Sequence, residues 1–281
     1  MNRPLIPLST LVSPLSPELF LRDYWAHKPI VTHGRPARFR GLLKLPALAT
    51  TEAFLRFLGR QQDLKVKAWS QDRSGKALET ILSSRSAKSA YEKGHITLVT
   101  DDLDRRLPEI RDSMHALVKD LKTPQIMYQC NAYLSPPGVG SPLHWDDQEV
   151  FLIQLHGEKE WTIAPNPEIR FAHSEYFAQR SGLELAPSFI PPKKNLQTIL
   201  LKPGSVLFLP RGYWHGSRTI KESFALTLTF ESQCWAGLIL EQLRAKLLAK
   251  EMWRMPCAEK GQNWKTLMSD LKKEIQRLQQ E

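Results

Sequence analysis

Hydrophobic positions change their spacing twice along this chain of 281 residues. Up to residue 124 the apolar residues recur three and four apart, the spacing of one helix face. SPELFLRDYWAH offers Ser16 as N-cap and Pro17 at the first helical position. TTEAFLRFLGR offers Thr50 or Thr51 as cap and Gly59 as stop, and DRRLPEIRDSMHALVKDL (104–121) predicts a third helix. KVKAW, lying between them, reads as a strand. From residue 125 the segments shorten. IMYQCNAYL, EVFLIQL, KEWTIAP, TILLKPGSVLFLP and SFALTLTF are β-branched or aromatic and bounded by Pro, Gly and Ser. That density of strands predicts an antiparallel barrel or double-sheet sandwich. NPEIRFAHSEYFAQRSGL interrupts it as a helical or loop insertion. After Glu231 helical spacing returns, with one stripe through Leu240, Leu243 and Leu247. Trp264, Leu267, Met268, Leu271, Ile275 and Leu278 form another.

Three regions are therefore expected. Residues 1–124 form a helical or mixed region packing on the barrel, and 125–231 form the β core. Residues 232–281 form amphipathic helices that cover the barrel or, as the favoured reading, pair with a second copy as a homodimer.

Composition narrows the class. No apolar run approaches the eighteen or more residues of a membrane span. The proline-broken opening MNRPLIPLSTLVSPLSP lacks the apolar core of a secretory signal, so a cytoplasmic protein is expected. Cys130, Cys234 and Cys257 are far apart, with no zinc-type spacing and no disulfide framework. The net charge of +10 is concentrated: residues 35–93 hold 13 Lys/Arg and 5 Asp/Glu, so 13 − 5 = +8 arises there. Such a surface attracts acidic partners. Basic and aromatic residues do not alternate and no base-reading motif occurs, so nucleic acid is not the expected substrate.

The candidate chemistry lies in SPLHWDDQEVFLIQLHGEKEW (141–161). Read as a strand, it places His144 and Asp146 on one face, about 7 Å apart. A third ligand is available in His215, after the strand and turn of PGSVLFLPRGYWH. Two histidines and one carboxylate leave three positions open on an octahedral ion, the arrangement of non-haem Fe(II) oxygenases. A 2-oxo acid fills two of them and O2 the last. Zinc hydrolases favour three histidines, or two with a Glu. Lys159, past the His156-Gly157 turn, then has a role, because a buried ammonium facing the second carboxylate of 2-oxoglutarate is half of a satisfied pair. In QCNAYL, Gln129, Asn131 and Tyr133 share one strand face and Cys130, Ala132 and Leu134 the other, and either face can look inward. A metal cupin that does not use 2-oxoglutarate fits the ligands but leaves Lys159 without a purpose, and the intact ligands argue against a non-catalytic binding cupin. His27, His33, His95, His115, His156 and His173 read as bystanders.

These residues also carry a resemblance. HWDDQEVFLIQLHGEKEW resembles the metal-binding segment of JmjC-type 2-oxoglutarate oxygenases, most closely the ribosomal oxygenase branch. PELFLRDYWAHKPIV is similar to that branch's N-terminal segment, and LKPGSVLFLPRGYWH to its distal-histidine element. The three motifs occur in the family's order over roughly residues 17 to 231. The resemblance implies a mainly β protein with flanking helices: a double-stranded β-helix, the cupin or JmjC jelly roll, followed by C-terminal helices. It implies His144, Asp146 and His215 as iron ligands and Lys159 as the holder of the distal carboxylate of 2-oxoglutarate. Asn131 and Tyr133 match cosubstrate contacts, and Thr227 or Ser223 supplies a further hydroxyl. The implied reaction hydroxylates a histidine or arginine of a ribosomal protein, with release of succinate and CO2. The branch continues through a helical dimerisation region into a winged helix. Only 50 residues (281 − 231) follow Glu231, so helices without a winged helix are expected. A smaller peptide or a biosynthetic small molecule is then the alternative substrate.

Overall fold

In the computed structural model, residues 4–61, 63–71, 77–123, 126–173, 192–256 and 264–278 are described. The chain divides into two compact units, Met1–Ser232 and Gln233–Glu281.

The first unit is organised around two long strands, β7 (Glu149–Ala164) and β10 (Trp214–Glu231), which pair antiparallel along their length. Each serves two sheets. The first part of β7 pairs with β9 (Val206–Leu209) and its second part with β8 (Gln197–Leu201). The first part of β10 pairs with β6 (Gly140–His144) and its second with β5 (Met127–Ser135). The result is the double-stranded β-helix. The sequence reading placed a turn at His156-Gly157, and the structure corrects it: β7 runs on as one strand with an irregularity there. Pairing with β10 is kept because β10 shifts register between Thr219 and Ala225, so the two strands bend together. Gly157 makes this possible. Its φ is +71°, and a Cβ on it would lie 1.6 Å from the Glu222 carbonyl oxygen.

The N-terminal region contributes strands as well as helices. β1 (Ile30–Thr32) adds to β9, while β4 (Thr97–Thr100) adds to β5. The hairpin of β2 (Lys65–Gln71) and β3 (Ala77–Ser83) continues the sheet outward from β4. Beside these lie α1 (Leu8–Val12), α2 (Pro17–Asp23), α3 (Arg40–Leu43), α4 (Thr51–Gly59) and α5 (Ser84–Tyr91). The Ser16 hydroxyl accepts from the Leu19 N–H at the start of α2, and Thr50 caps α4 through the Ala53 N–H. The segment read as one helix over 104–121 is two, α6 (Leu103–Arg106) and α7 (Pro108–Leu121). Pro108 disfavours helical backbone at the residue before it, and Leu107 is extended (φ −120°, ψ 103°).

The helices dock through aromatic side chains. Phe20 of α2 meets Phe208 edge-on at 5.0 Å and Phe151 at 5.6 Å. Its complete burial contributes about 1.5–3 kcal/mol. The insertion predicted after Asn166 falls mostly outside the described residues, as does Cys257.

The second unit holds α8 (Trp235–Leu248), α9 (Glu251–Arg254) and α10 (Trp264–Leu278). Lys250 joins Asp270 and Glu274 of α10 at 2.7 and 2.8 Å. Trp235, Ile239 and Leu240 of α8 and Trp264 and Ile275 of α10 remain exposed. Among the described residues no helix is long and apolar enough to cross a membrane.

Candidate metal and cosubstrate site

His144 is the last residue of β6 and His215 the second of β10, and the two are cross-strand partners in register. Their rings therefore approach to 4.3 Å between centroids. Asp146 arrives differently from the sequence argument. β6 ends at His144, so Asp146 is not a strand neighbour two residues on but a loop residue. Its backbone carbonyl accepts from the Gly212 N–H at 2.6 Å, in the turn that leads to His215. Its carboxylate lies 3.3 Å from His215 Nε2. One ligand atom from each of His144, Asp146 and His215 lies within 4.8 Å of the others.

Both imidazoles are oriented by carbonyl oxygens. His144 Nδ1 is 2.8 Å from the Pro142 carbonyl and His215 Nδ1 is 2.9 Å from that of Tyr213. A carbonyl only accepts, so each Nδ1 carries the hydrogen and each neutral ring offers the Nε2 lone pair. Burial and then the neighbouring His215 lower the pKa of His144. Burial opposes charge on His215, yet Asp146 outweighs it and raises the pKa. Burial likewise pushes the Asp146 carboxyl up, but its bond to His215 and the two rings bring it down to about 2. The cluster attracts positive charge, which a proton or a divalent cation can supply. Its nitrogen and oxygen donors suit a first-row divalent metal.

Lys159 lies on β7 beyond the bend and is 5% exposed. Among the described residues its polar contacts are the Ser135 hydroxyl at 3.1 Å and the Trp161 ring at 5.7 Å. Burial pulls its pKa down to about 8, with no carboxylate among the described residues to offset it. Ser135 also accepts from Thr97 at 2.9 Å. Thr219, the cross-strand partner of Lys159 on β10, has a buried hydroxyl without a hydrogen-bond partner among the described residues.

The structure selects the face of β5 that the alternation left open. Asn131 and Tyr133 line the cavity, while Cys130, Ala132 and Leu134 are fully buried on the other side. Asn131 is held in place: its Oδ1 accepts from the Asp102 N–H at 3.1 Å. Burial, with Asp146 and Asp101 nearby, keeps the Tyr133 phenol protonated far above its usual range. Thr227 sits opposite Asn131 and beside that phenol. Ser223, the other hydroxyl considered, accepts from Gln154 Nε2 at 2.8 Å and does not line the cavity.

The three donors, Lys159, Asn131, Tyr133 and Thr227 all line one cavity of about 490 Å³. Its wall also includes Trp69 and Glu79 of the β2–β3 hairpin, joined by an indole N–H donated to the carboxylate at 2.8 Å. Trp69 meets Tyr133 edge-on at 6.0 Å. The sequence reading missed both, because the hairpin is remote in the chain and carries no local chemical signal. It also missed Ser135, which the strand alternation places on the face of Asn131 and Tyr133. A wider surface groove of about 820 Å³, lined by Val31, His33, Arg35 and Lys202 among others, holds none of these groups.

A buried ion pair, neither of whose residues lines this cavity, joins the two ligand-bearing segments. The Arg211 guanidinium meets the Glu149 carboxylate in two bonds, 2.6 and 2.8 Å, with both side chains almost fully buried.

Residues 107–238 match the JmjC domain family. The chain is 28% identical to an uncharacterized protein of Bacillus subtilis, YxbC, over 88% of this chain and 77% of that protein. It is 27% identical to ribosomal oxygenase 2 of mouse, over 83% of this chain and 49% of that protein. The chain thus spans about half the length of that relative. Among solved structures, the Escherichia coli ribosomal oxygenase YcfD in complex with cobalt and 2-oxoglutarate superposes with a TM-score of 0.63. The match covers 94% of this chain and 67% of YcfD at 17% identity, a likeness of fold.

Proposed function

Since residues 107–238 match the JmjC domain family, we propose that the chain is an Fe(II)- and 2-oxoglutarate-dependent oxygenase hydroxylating a side chain of a protein or peptide substrate. The observation that carries the reading is Lys159, a buried cation without a counter-ion among the described residues, in the same cavity as a two-histidine, one-carboxylate cluster. Burying an unpaired ammonium is unfavourable, and a bound carboxylate removes that penalty. Thr219, the neighbour of Lys159, lies four positions beyond His215 on β10, which is roughly 13 Å of strand. Less the reach of the lysine side chain, that span suits a short dicarboxylate.

In this reading His144, Asp146 and His215 hold iron, which when bound supplies the activation of O2 coupled to decarboxylation of the 2-oxo acid to succinate and CO2. Lys159 and Ser135 grip the far carboxylate of the cosubstrate. Asn131, Tyr133 and Thr227 offer hydrogen bonds along its length. Val150, Leu152, Leu209 and Trp161 exclude water from the same wall. Trp69 and Glu79 border the entrance for the substrate.

Relatives named ribosomal oxygenases support a ribosomal protein as the target, and the histidine or arginine side chain is the one that the family resemblance implies. A smaller peptide or a biosynthetic molecule uses the same residues. The exposed apolar side chains of α8 and α10 support pairing between two copies. The decisive experiment incubates iron-loaded protein and 2-oxoglutarate with candidate peptides and seeks a product heavier by about 16 Da, the mass of one added oxygen. Absence of succinate under every condition, with the protein folded and iron supplied, refutes the proposal.

A further inference from the structure

We propose that Arg211 and Glu149 are positioning residues: their buried pair fixes the two ligand-bearing segments relative to each other. The inference rests on the metal site proposed above. Glu149 follows Asp146 by three residues, and Arg211 precedes His215 by four. The pair therefore joins the start of β7 to the end of β9, just outside the ligands on each segment. A third strand end is tied to it. Arg211 Nη2 donates to the Ser232 carbonyl at 2.9 Å, and the Ser232 hydroxyl donates to Glu149 Oε2 at 3.1 Å, where β10 ends.

The same two segments are fixed a second time. Trp145 and Trp214, each 4% exposed and each adjacent to a ligand, pack in one apolar cluster with Ala164, Ile169 and Ala172. Between these two anchorages the Gly212 N–H donates to the Asp146 carbonyl.

Stability does not account for such a pair. A buried ion pair is on balance neutral or unfavourable against well-packed apolar residues of similar size. What it adds is geometry, because two planar groups held by two parallel bonds fix distance and orientation together. Apolar side chains permit sliding that a ligand set, needing placement to within about 0.5 Å, does not tolerate. Arg211 and Glu149 thus act through Asp146 and His215 and do not touch the cosubstrate themselves.

The test compares the parent with E149L/R211M, R211K and S232A. Three quantities are read: the thermal midpoint of the metal-free protein, the dissociation constant for Co(II) with its visible spectrum, and succinate formed per hydroxylated product. E149L/R211M should unfold at or above the parent's temperature, yet bind Co(II) about 10–100-fold more weakly with an altered spectrum. R211K keeps the charge and loses the planar fork. It should show a smaller loss in the same direction, and more succinate per product. S232A should show the smallest loss. Parent-like Co(II) affinity, spectrum and coupling in R211K overturn the proposal, and R211K decides the matter if the double variant fails to fold. A folded parent that binds no Co(II) overturns the metal reading, and the positioning role with it. A parent that binds, with variants that bind equally well, overturns the positioning role alone.

Discussion

Replacing Lys159 by methionine should make the metal-free protein more stable and blind to 2-oxoglutarate. The side chains are similar in length, so the change removes charge and little volume. In the folded protein burial brings the Lys159 pKa from 10.5 to about 8. That fall corresponds to about 3 kcal/mol for holding the charged form out of water. Losing the bond to Ser135 returns about 1 kcal/mol. The net gain is roughly 2 kcal/mol, or about 4–8 °C in the unfolding midpoint of a domain this size. The gain should depend on pH in a defined direction. The folded pKa lies below the unfolded one, so between about 8 and 10.5 the unfolded chain binds more protons than the folded chain. The parent is therefore penalised in full below pH 8 and recovers stability as pH rises to 10.5, closing the gap to K159M. Thermal unfolding of both proteins at pH 7 and pH 10, with and without 2-oxoglutarate in the presence of Co(II), measures all of this. The reasoning fails if K159M unfolds below the parent at pH 7 and 2-oxoglutarate still raises its midpoint.

Other consequences are equally direct. H144A should lose Co(II) binding in a spectroscopic titration and form no succinate from 2-oxoglutarate, while its circular dichroism stays that of the parent. S135A removes a hydrogen-bond partner from a charged group, and should raise the apparent KM for 2-oxoglutarate about 10-fold with kcat nearly unchanged. G157A adds a Cβ at a φ of +71° against the Glu222 carbonyl. It should destabilise the protein by more than about 1 kcal/mol in chemical denaturation, and an unchanged midpoint contradicts the bend described for β7.

Much of this site was legible because short-range rules place most of it. Strand alternation put Asn131 and Tyr133 on one face, and spacing singled out His144, Asp146, His215 and Lys159. It did not say which face of β5 turns inward, since that depends on the core that Ile110, Met114 and Leu117 of α7 form with Cys130, Ala132 and Leu134. The route of Asp146 was misread for a similar reason: β6 stops at His144, and the loop beyond is held by Gly212, 66 residues later (212 − 146). Pro108 was visible throughout, and its effect on Leu107 follows from sterics alone, yet the apolar spacing across it masked the break. Trp69 and Glu79 were out of reach of any local rule.

β10 carries His215 near one end and Thr219 four residues on, and neither position belongs to a loop. The interval from the imidazole cluster to the ammonium pocket is therefore a ruler cut in units of backbone, indifferent to changes at the surface. On the proposed reading, a diacid with one methylene more or fewer should raise the unfolding midpoint less than 2-oxoglutarate does. An insertion or deletion within the strand would change that interval, where one in a loop would not.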